Sequence, residues 1–263
     1  MTNTRDTVRV SVVQLDEYGP WTVEPEPRRE TDLQALQARL YADFADFVGR
    51  SDGYAFFNRF DNLIGIANGI DLKEYERFQE RVRNRYPVTA SVGVGEGETP
   101  VRAVTVASRQ LQAAGSAQDP DRREVLSAGD TSDSPGHVTV GHFDIVGVTE
   151  SLTDEEHAAA VGLEIQQSMI VLKRRLLSEH DSIAQFVGGD NMIAVCPRLS
   201  EDVFADIADH VYDRTGVEYQ VGVGSGPTAH AAGGRAKEAL EHCRETGTRV
   251  HETAAAPQRA TDD

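Results

Sequence analysis

"SIAQFVGGDNMIAVCP", residues 182–197, reads as two short apolar strands folded back on each other through Gly188, Gly189, Asp190 and Asn191. Glycines in a tight strand turn let a backbone come close to something bulky, and the Asp adds charge at the tip. Upstream, "YAFFNRFDNLIGIANG" (54–69) has the same pattern and pairs Asp61-Asn62 with Asp190-Asn191 at an offset of 129. "SVGVGEGETP" (91–100) matches "QVGVGSGPTA" (220–229) at that offset too. "VSVVQLDEYG" (10–19) matches "VTVGHFDIVG" (138–147) at 128, pairing Asp16 with Asp144. Three landmarks at spacings of 128–129 identify a tandem duplication.

Each half reads strand, helix, hairpin, helix, strand, helix. In the first, residues 8–16 are β-branched and alternate. Leu33, Leu36, Leu40, Phe44 and Phe47 then recur at steps of three and four, giving a helix with one apolar stripe. After the hairpin, a helix is predicted over about 72–84 and a strand over 87–95. Thr99 is predicted to cap the next helix, with Pro100 at its first position. In the second half, Thr153 with Glu156 forms a capping box opening a helix to about 179. Ser200 is predicted to cap the next helix, and 231–245 closes the half. The order predicts an α+β fold of two tandem ferredoxin-like (palm, βαββαβ) domains. The domains span 1–116 and 138–250. A linker rich in Asp, Ser, Gly and Pro spans 117–137, and a disordered tail spans 251–263. Within the linker region, "GSAQD..RREVL" is too specific for a spacer and is expected to pack on something.

With 39% hydrophobic residues the chain can build a core, and 43 acidic against 26 basic residues leave a net charge of −17. That surplus reads as a solvated surface adapted to high salt, and the absence of a basic stripe excludes nucleic acid as the expected partner. An anionic ligand would need Mg²⁺ or local arginines to offset the field. Cys196 and Cys243 are the only cysteines, which fits a reducing compartment. Without CxxC, HExxH or paired Cys/His spacing, zinc is not expected. No apolar run reaches membrane-spanning length and "MTNTRDTVRV" lacks a signal-peptide core, so no membrane partner and a cytoplasmic location are expected.

The strand-1 acids, Asp16 and Asp144, are expected beside the hairpin acids, Asp61 and Asp190. Two carboxylates at one sheet edge repel, and a divalent cation is the usual remedy. The competing reading is ordinary hairpin-turn chemistry, since Asp and Asn tolerate the left-handed region. Gln14 and His142 precede an Asp by two residues and share its face. His142 is a candidate base or purine contact, against a hydrogen-bonded packing role. Arg28 and Arg29 at the start of the first long helix are a candidate polyphosphate dock, against simple pairing with Glu24, Glu26 and Glu30. The second half has acidic "SLTDEEH" there, which puts a triphosphate nearer the first half. Gly93, Gly95 and Gly97, repeated as Gly222, Gly224 and Gly226, lack the GxGxxG pattern and read as a strand ending in a tight turn. Trp21, beside Asp16, reads as a core anchor, against a stacking role.

"FVGGDN" on a hairpin, a strand-1 Asp, "VTASVGVG" before a final helix and "AKEALEHCRETG" (236–247) give each half a resemblance to the palm of nucleotidyl and diguanylate cyclases. Those enzymes hold two Mg²⁺ on the strand-1 Asp and the hairpin acids and bind GTP. Asn191 stands where their GGDEF signature has Glu, and the first half has "RFDN" instead of glycines, which counts against cyclisation. The whole chain is similar to the archaeal-type GTP cyclohydrolase III family. That resemblance runs through "VVQLDEYGPWTVEPEPRRETDLQALQARLYADF", "FNRFDNLIGIANGID", "RNRYP", "GSAQD..RREVL" and "FVGGDN". It implies Mg²⁺-dependent, K⁺-stimulated hydrolysis of GTP at C8 of the guanine. The product is a formylaminopyrimidine ribonucleotide monophosphate for flavin and deazaflavin synthesis, formed with phosphate, and a pyrophosphate phosphohydrolase activity is associated. On this basis Asp16, Asp61, Asp144 and Asp190 are the expected metal ligands and catalytic residues, and His142 is a further expected catalytic residue. Arg28, Arg29, Asn62, Gly188, Gly189 and Asn191 are the expected substrate contacts, and a homo-oligomer is expected. The alternatives are a nucleotidyl or diguanylate cyclase and a catalytically dead GTP-binding sensor. The sequence assigns the chemistry to neither half.

Overall fold

A computed structural model describes residues 7–132, 136–147 and 158–253. The chain divides into two compact units, the first made of residues up to His137 with Thr228–His230 and the second of the rest from Val138. The first contains β1 (Val8–Leu15), α1 (Tyr18–Val23), α2 (Glu30–Gly49), β2 (Tyr54–Arg59), β3 (Asn62–Ile66), α3 (Leu72–Arg85), β4 (Ala90–Gly97), α4 (Pro100–Ala113) and β5 (Leu126–Ala128). The second contains β6 (Val138–Ile145), α5 (Ala158–Glu179), β7 (Ile183–Gly188), β8 (Asn191–Cys196), α6 (Glu201–Thr215), β9 (Tyr219–Gly226), α7 (Ala229–Thr246) and β10 (Val250–Thr253).

The first sheet is ordered β2-β3-β1-β4-β5 and the second β7-β8-β6-β9-β10, so the two have one topology. The first strand of each unit lies centrally and antiparallel to both neighbours, and the fifth joins its edge in parallel. Four strands with two crossing helices make the βαββαβ, α+β arrangement expected of each half. Both hairpins carry a register shift at the same place, between Phe57 and Arg59 and between Phe186 and Gly188.

Strand alternation sends Val13 and Leu15 toward α2 and α3 and sends Val12 toward α4. The α2 stripe is buried as its spacing requires at Leu36, Leu40, Phe44 and Phe47, against Tyr75, Phe78 and Val82 of α3. Asp71 and Glu74 form a capping box at the start of α3. The Thr99 side chain accepts from the Arg102 amide with Pro100 opening α4, as expected. Ser200 precedes α6 but makes no side-chain cap bond; its carbonyl receives the amides of Val203 and Phe204 instead. The expected Thr153–Glu156 capping box and residues 254–263 lie outside the described residues. Among the described residues no helix is long and apolar enough to cross a membrane.

The strand glycines have a different reason from the turn expected of them. A Cβ at Gly93 would run into the carbonyl of Ala107, and one at Gly222 into the carbonyl of Ala236. Helices α4 and α7 therefore rest almost backbone to backbone on β4 and β9, with alanines on the facing side. Gly222→Val is expected to lower the stability of the second unit by roughly 3 kcal/mol, the upper range for overpacking. Denaturant unfolding followed by circular dichroism measures it, and a change below about 1 kcal/mol would refute the close packing.

Candidate functional site

The turn between β7 and β8 needs glycine at two places, since Gly188 has φ 122° and Gly189 φ 61°. That turn carries Asp190, and the register sets the following Asn191 opposite Asp144 of β6. Asn191 Nδ2 donates to Asp190 Oδ1 at 2.8 Å, and Asn191 Oδ1 lies 2.8 Å from His142 Nε2. A carboxylate only accepts, so the amide nitrogen faces Asp190 and the amide oxygen faces His142. His142 Nε2 must then carry the proton, which leaves Nδ1 as the ring's one basic atom. Burial pulls His142 below the ordinary imidazole range, the Asn191 contact opposing and Lys237 reinforcing the shift. The ring is therefore neutral at pH 7. Among the described residues Asp144 has a single charged partner, Arg244 of α7, whose Nη2 donates to Oδ2 at 2.8 Å from a side chain 43% exposed.

The matching place in the first unit is built differently. Asp16, just beyond β1, is buried. Its Oδ1 accepts from Ser91 Oγ at 2.7 Å, and its Oδ2 from Thr89 Oγ1 and the Glu124 amide, both at 2.9 Å. Asp61 occupies the hairpin turn, where its carboxylate meets Arg59 at 3.3 Å. Asn62 is buried opposite Gln14, whose Oε1 accepts from Arg122 Nη2 at 3.0 Å. The hairpin acid and the strand-1 acid are thus turned to different partners. Gln14 does share a face with Asp16, since Arg122 reaches both.

"GSAQD..RREVL" does pack, as its specificity suggested, and it closes over the end of β1. Ala117 accepts from the Glu17 amide, Arg123 pairs with Glu17, and the Val125 amide donates to Ser91 Oγ. Gln79 bridges the carbonyls of Ala90 and Val125, which fixes β5 beside β4.

Arg28 and Arg29 precede α2 in the connection from α1, a short helix that the sequence reading does not contain. Arg28 lies 4.1 Å from the centre of the Trp21 ring and donates through Nε to the Trp21 carbonyl at 2.7 Å. Trp21 is thus half-buried against the core and partly spent on holding Arg28. Both arginines line a cavity of about 680 Å³ together with Arg39, Arg85, Tyr86 and Trp21. Glu26 and Asp32 are its only acidic lining groups, so a strongly acidic protein has gathered a local excess of guanidinium there. Asp43 sits behind Arg85, accepting from it at 2.7 and 2.9 Å and from the Tyr86 hydroxyl at 2.6 Å. A second cavity of about 410 Å³ shares Trp21, Tyr86 and Pro87 with the first and reaches Asp16, Thr89 and Arg123.

Arg39, Arg85, Arg122 and Arg244 are the site residues that reading along the chain missed. Arg122 lies inside "GSAQD..RREVL" and Arg244 inside "AKEALEHCRETG", but each partner is 100 or more residues distant. Among the described residues no three His, Cys, Asp or Glu side chains form a ready-made cation cage. Mg²⁺ characteristically takes one or two carboxylates and completes its shell with substrate phosphate and water. Asp144 on β6 and Asp190 in the turn before its partner strand β8, each with one side-chain hydrogen-bond partner among the described residues, fit that habit; Asp16 does not.

Residues 10–258 match the GTP cyclohydrolase III family. A Halobacterium salinarum protein named GTP cyclohydrolase III 2 is 54% identical over 92% of this chain and 97% of its own length. GTP cyclohydrolase III 1 of the same organism is 50% identical over 95% and 98%. The Methanococcus maripaludis GTP cyclohydrolase III is 44% identical over 92% and 90%. With identity this high along nearly its whole length, and with two like-folded units in tandem, the chain belongs to the GTP cyclohydrolase III family.

Proposed function

We propose that the protein opens the imidazole ring of GTP by adding water at C8, keeps the formyl group on the opened base, and releases phosphate to leave a ribonucleotide monophosphate. The observation that carries this reading is the extent of the family match, over residues 10–258 and at 54% identity to a relative across 92% of the chain. Asp144 and Asp190 would hold Mg²⁺ in the second unit, where it would supply an activated water. K⁺ acts as an activator, and the product enters flavin and deazaflavin synthesis. Two buried free thiols and the acidic composition support a cytoplasmic protein, and we expect it to work as a homo-oligomer.

The chain's own groups divide the work. Arg28 and Arg29, with Arg39 beside them, take the triphosphate as charge-assisted hydrogen-bond donors. Asn191 is held at both ends by Asp190 and His142, so its remaining N–H is aimed without freedom to rotate. His142 serves chiefly to orient that amide, and its free Nδ1 is the one place where it can take a proton. Gly188 and Gly189 keep the turn free of side chains beside the nucleotide, and Asn62 gives the first unit its equivalent amide.

Mass spectrometry of GTP incubated with protein, Mg²⁺ and K⁺, with phosphate assayed in parallel, tests the reading. The expected product is a monophosphate with one added water on its base and the formyl group retained. A cyclic nucleotide with pyrophosphate, or bound but unchanged GTP, would overturn it.

A further inference from the structure

We infer that the first unit takes no divalent cation of its own, because Arg122 is built into it as the counter-ion of Asp16. The two strand-1 acids are equivalent in sequence, and the family resemblance gives both the same expected role. Their surroundings separate them.

Asp16 is 1% exposed at its side chain and Arg122 2%, with Nη1 facing Oδ1 at 3.9 Å. Three protein donors already occupy the carboxylate, from Thr89, Ser91 and the Glu124 amide. A Mg²⁺ ion would have to stand about 2.1 Å from one of those oxygens, inside the space the donors fill. Asp61 offers no second ligand, being turned to Arg59. Among the described residues Arg122 Nε and Nη1 have no hydrogen-bond partner, so what holds the guanidinium in place is the Gln14 bond through Nη2 and the charge of Asp16. A buried charge without a partner is strongly unfavourable, so each of the two groups is the condition for burying the other.

The origin of the device lies in chain length. Twelve residues, 114–125, join α4 to β5, whereas three, 247–249, join α7 to the equivalent β10. The longer connection carries Arg122 and Glu124 onto the end of β1. The second unit has no connection of that length there, and among the described residues its Asp144 keeps only the exposed Arg244.

The test is independent of turnover. Mn²⁺ binding to the full-length protein, read by electron paramagnetic resonance, is expected to show the same number of tight sites in wild type and Asp16→Asn. The same sites should be missing in Asp144→Asn/Asp190→Asn. Loss of a site in Asp16→Asn, or a tight site surviving in the double variant, overturns the inference; the second result decides alone if Asp16→Asn does not fold. Arg122→Met is expected to lower the melting temperature by about 10 °C. Adding Asp16→Asn to it should restore much of that loss, since the orphaned charge goes with it. An Arg122→Met protein as stable as wild type, or a double variant no better than the single, would overturn the counter-ion role.

Discussion

Asp190→Asn is expected to lower Mg²⁺-dependent turnover of GTP by roughly 10²–10³-fold with little change in melting temperature. The substitution keeps the size of the side chain and removes its charge. Asp190 sits in a turn whose backbone is set by Gly188 and Gly189, so the fold does not depend on that carboxylate. The charge matters in two ways. It is one of the two acids proposed to hold the metal, and it fixes which way round Asn191 stands. Asp61→Asn is the matched control, since its carboxylate serves only an exposed pair with Arg59 and should change turnover by no more than a few fold. Steady-state rates over a Mg²⁺ titration, with melting curves of both variants, provide the measurement. Asp190→Asn activity within threefold of wild type would remove the metal from the second unit.

Arg29→Ala/Arg39→Ala should raise KM for GTP by about 30-fold and leave the affinity for GMP nearly unchanged. Each guanidinium lines the 680 Å³ cavity from the exposed side of α2 or the connection before it. Two charge-assisted bonds at solvent-exposed positions contribute about 1 kcal/mol apiece after screening, and about 2 kcal/mol is roughly 30-fold. Arg28 is a poorer choice because it also holds Trp21, and Arg85 is tied to Asp43. The defect should shrink as ionic strength rises, because wild-type binding weakens toward that of the variant. Equal KM values for GTP would move the triphosphate elsewhere. A parallel loss of GMP affinity would mean the cavity holds the base or ribose.

Much of this fold is written in repeated local patterns. The α2 stripe, the paired hairpins and the Thr99-Pro100 start each depend on neighbours within a few residues, and all form as their spacing requires. The candidate site was legible only as far as it is local. Asp190, Asn191 and the two glycines form one turn, and His142 reaches them across one strand pair. What stayed hidden are partnerships at long separation. Nothing in the order of residues says that Arg122 will lie against Gln14 and Asp16, or that Arg244 will choose Asp144. The glycines of β4 and β9 misled for a related reason, since their need comes from a helix that arrives later in the chain. Helix α1 has only six residues, too few for a periodic signal.

The unequal settings of Asp16 and Asp144 also divide the molecule by its sensitivity to the surrounding medium. A carboxylate and guanidinium that are 1% and 2% exposed are screened far less by dissolved ions, so their attraction changes little between dilute buffer and molar salt. The Asp144–Arg244 pair has a guanidinium 43% open to water, and its strength falls as electrolyte accumulates around it. One chain thus carries two copies of the same acid, one insulated from the electrolyte and one that follows it.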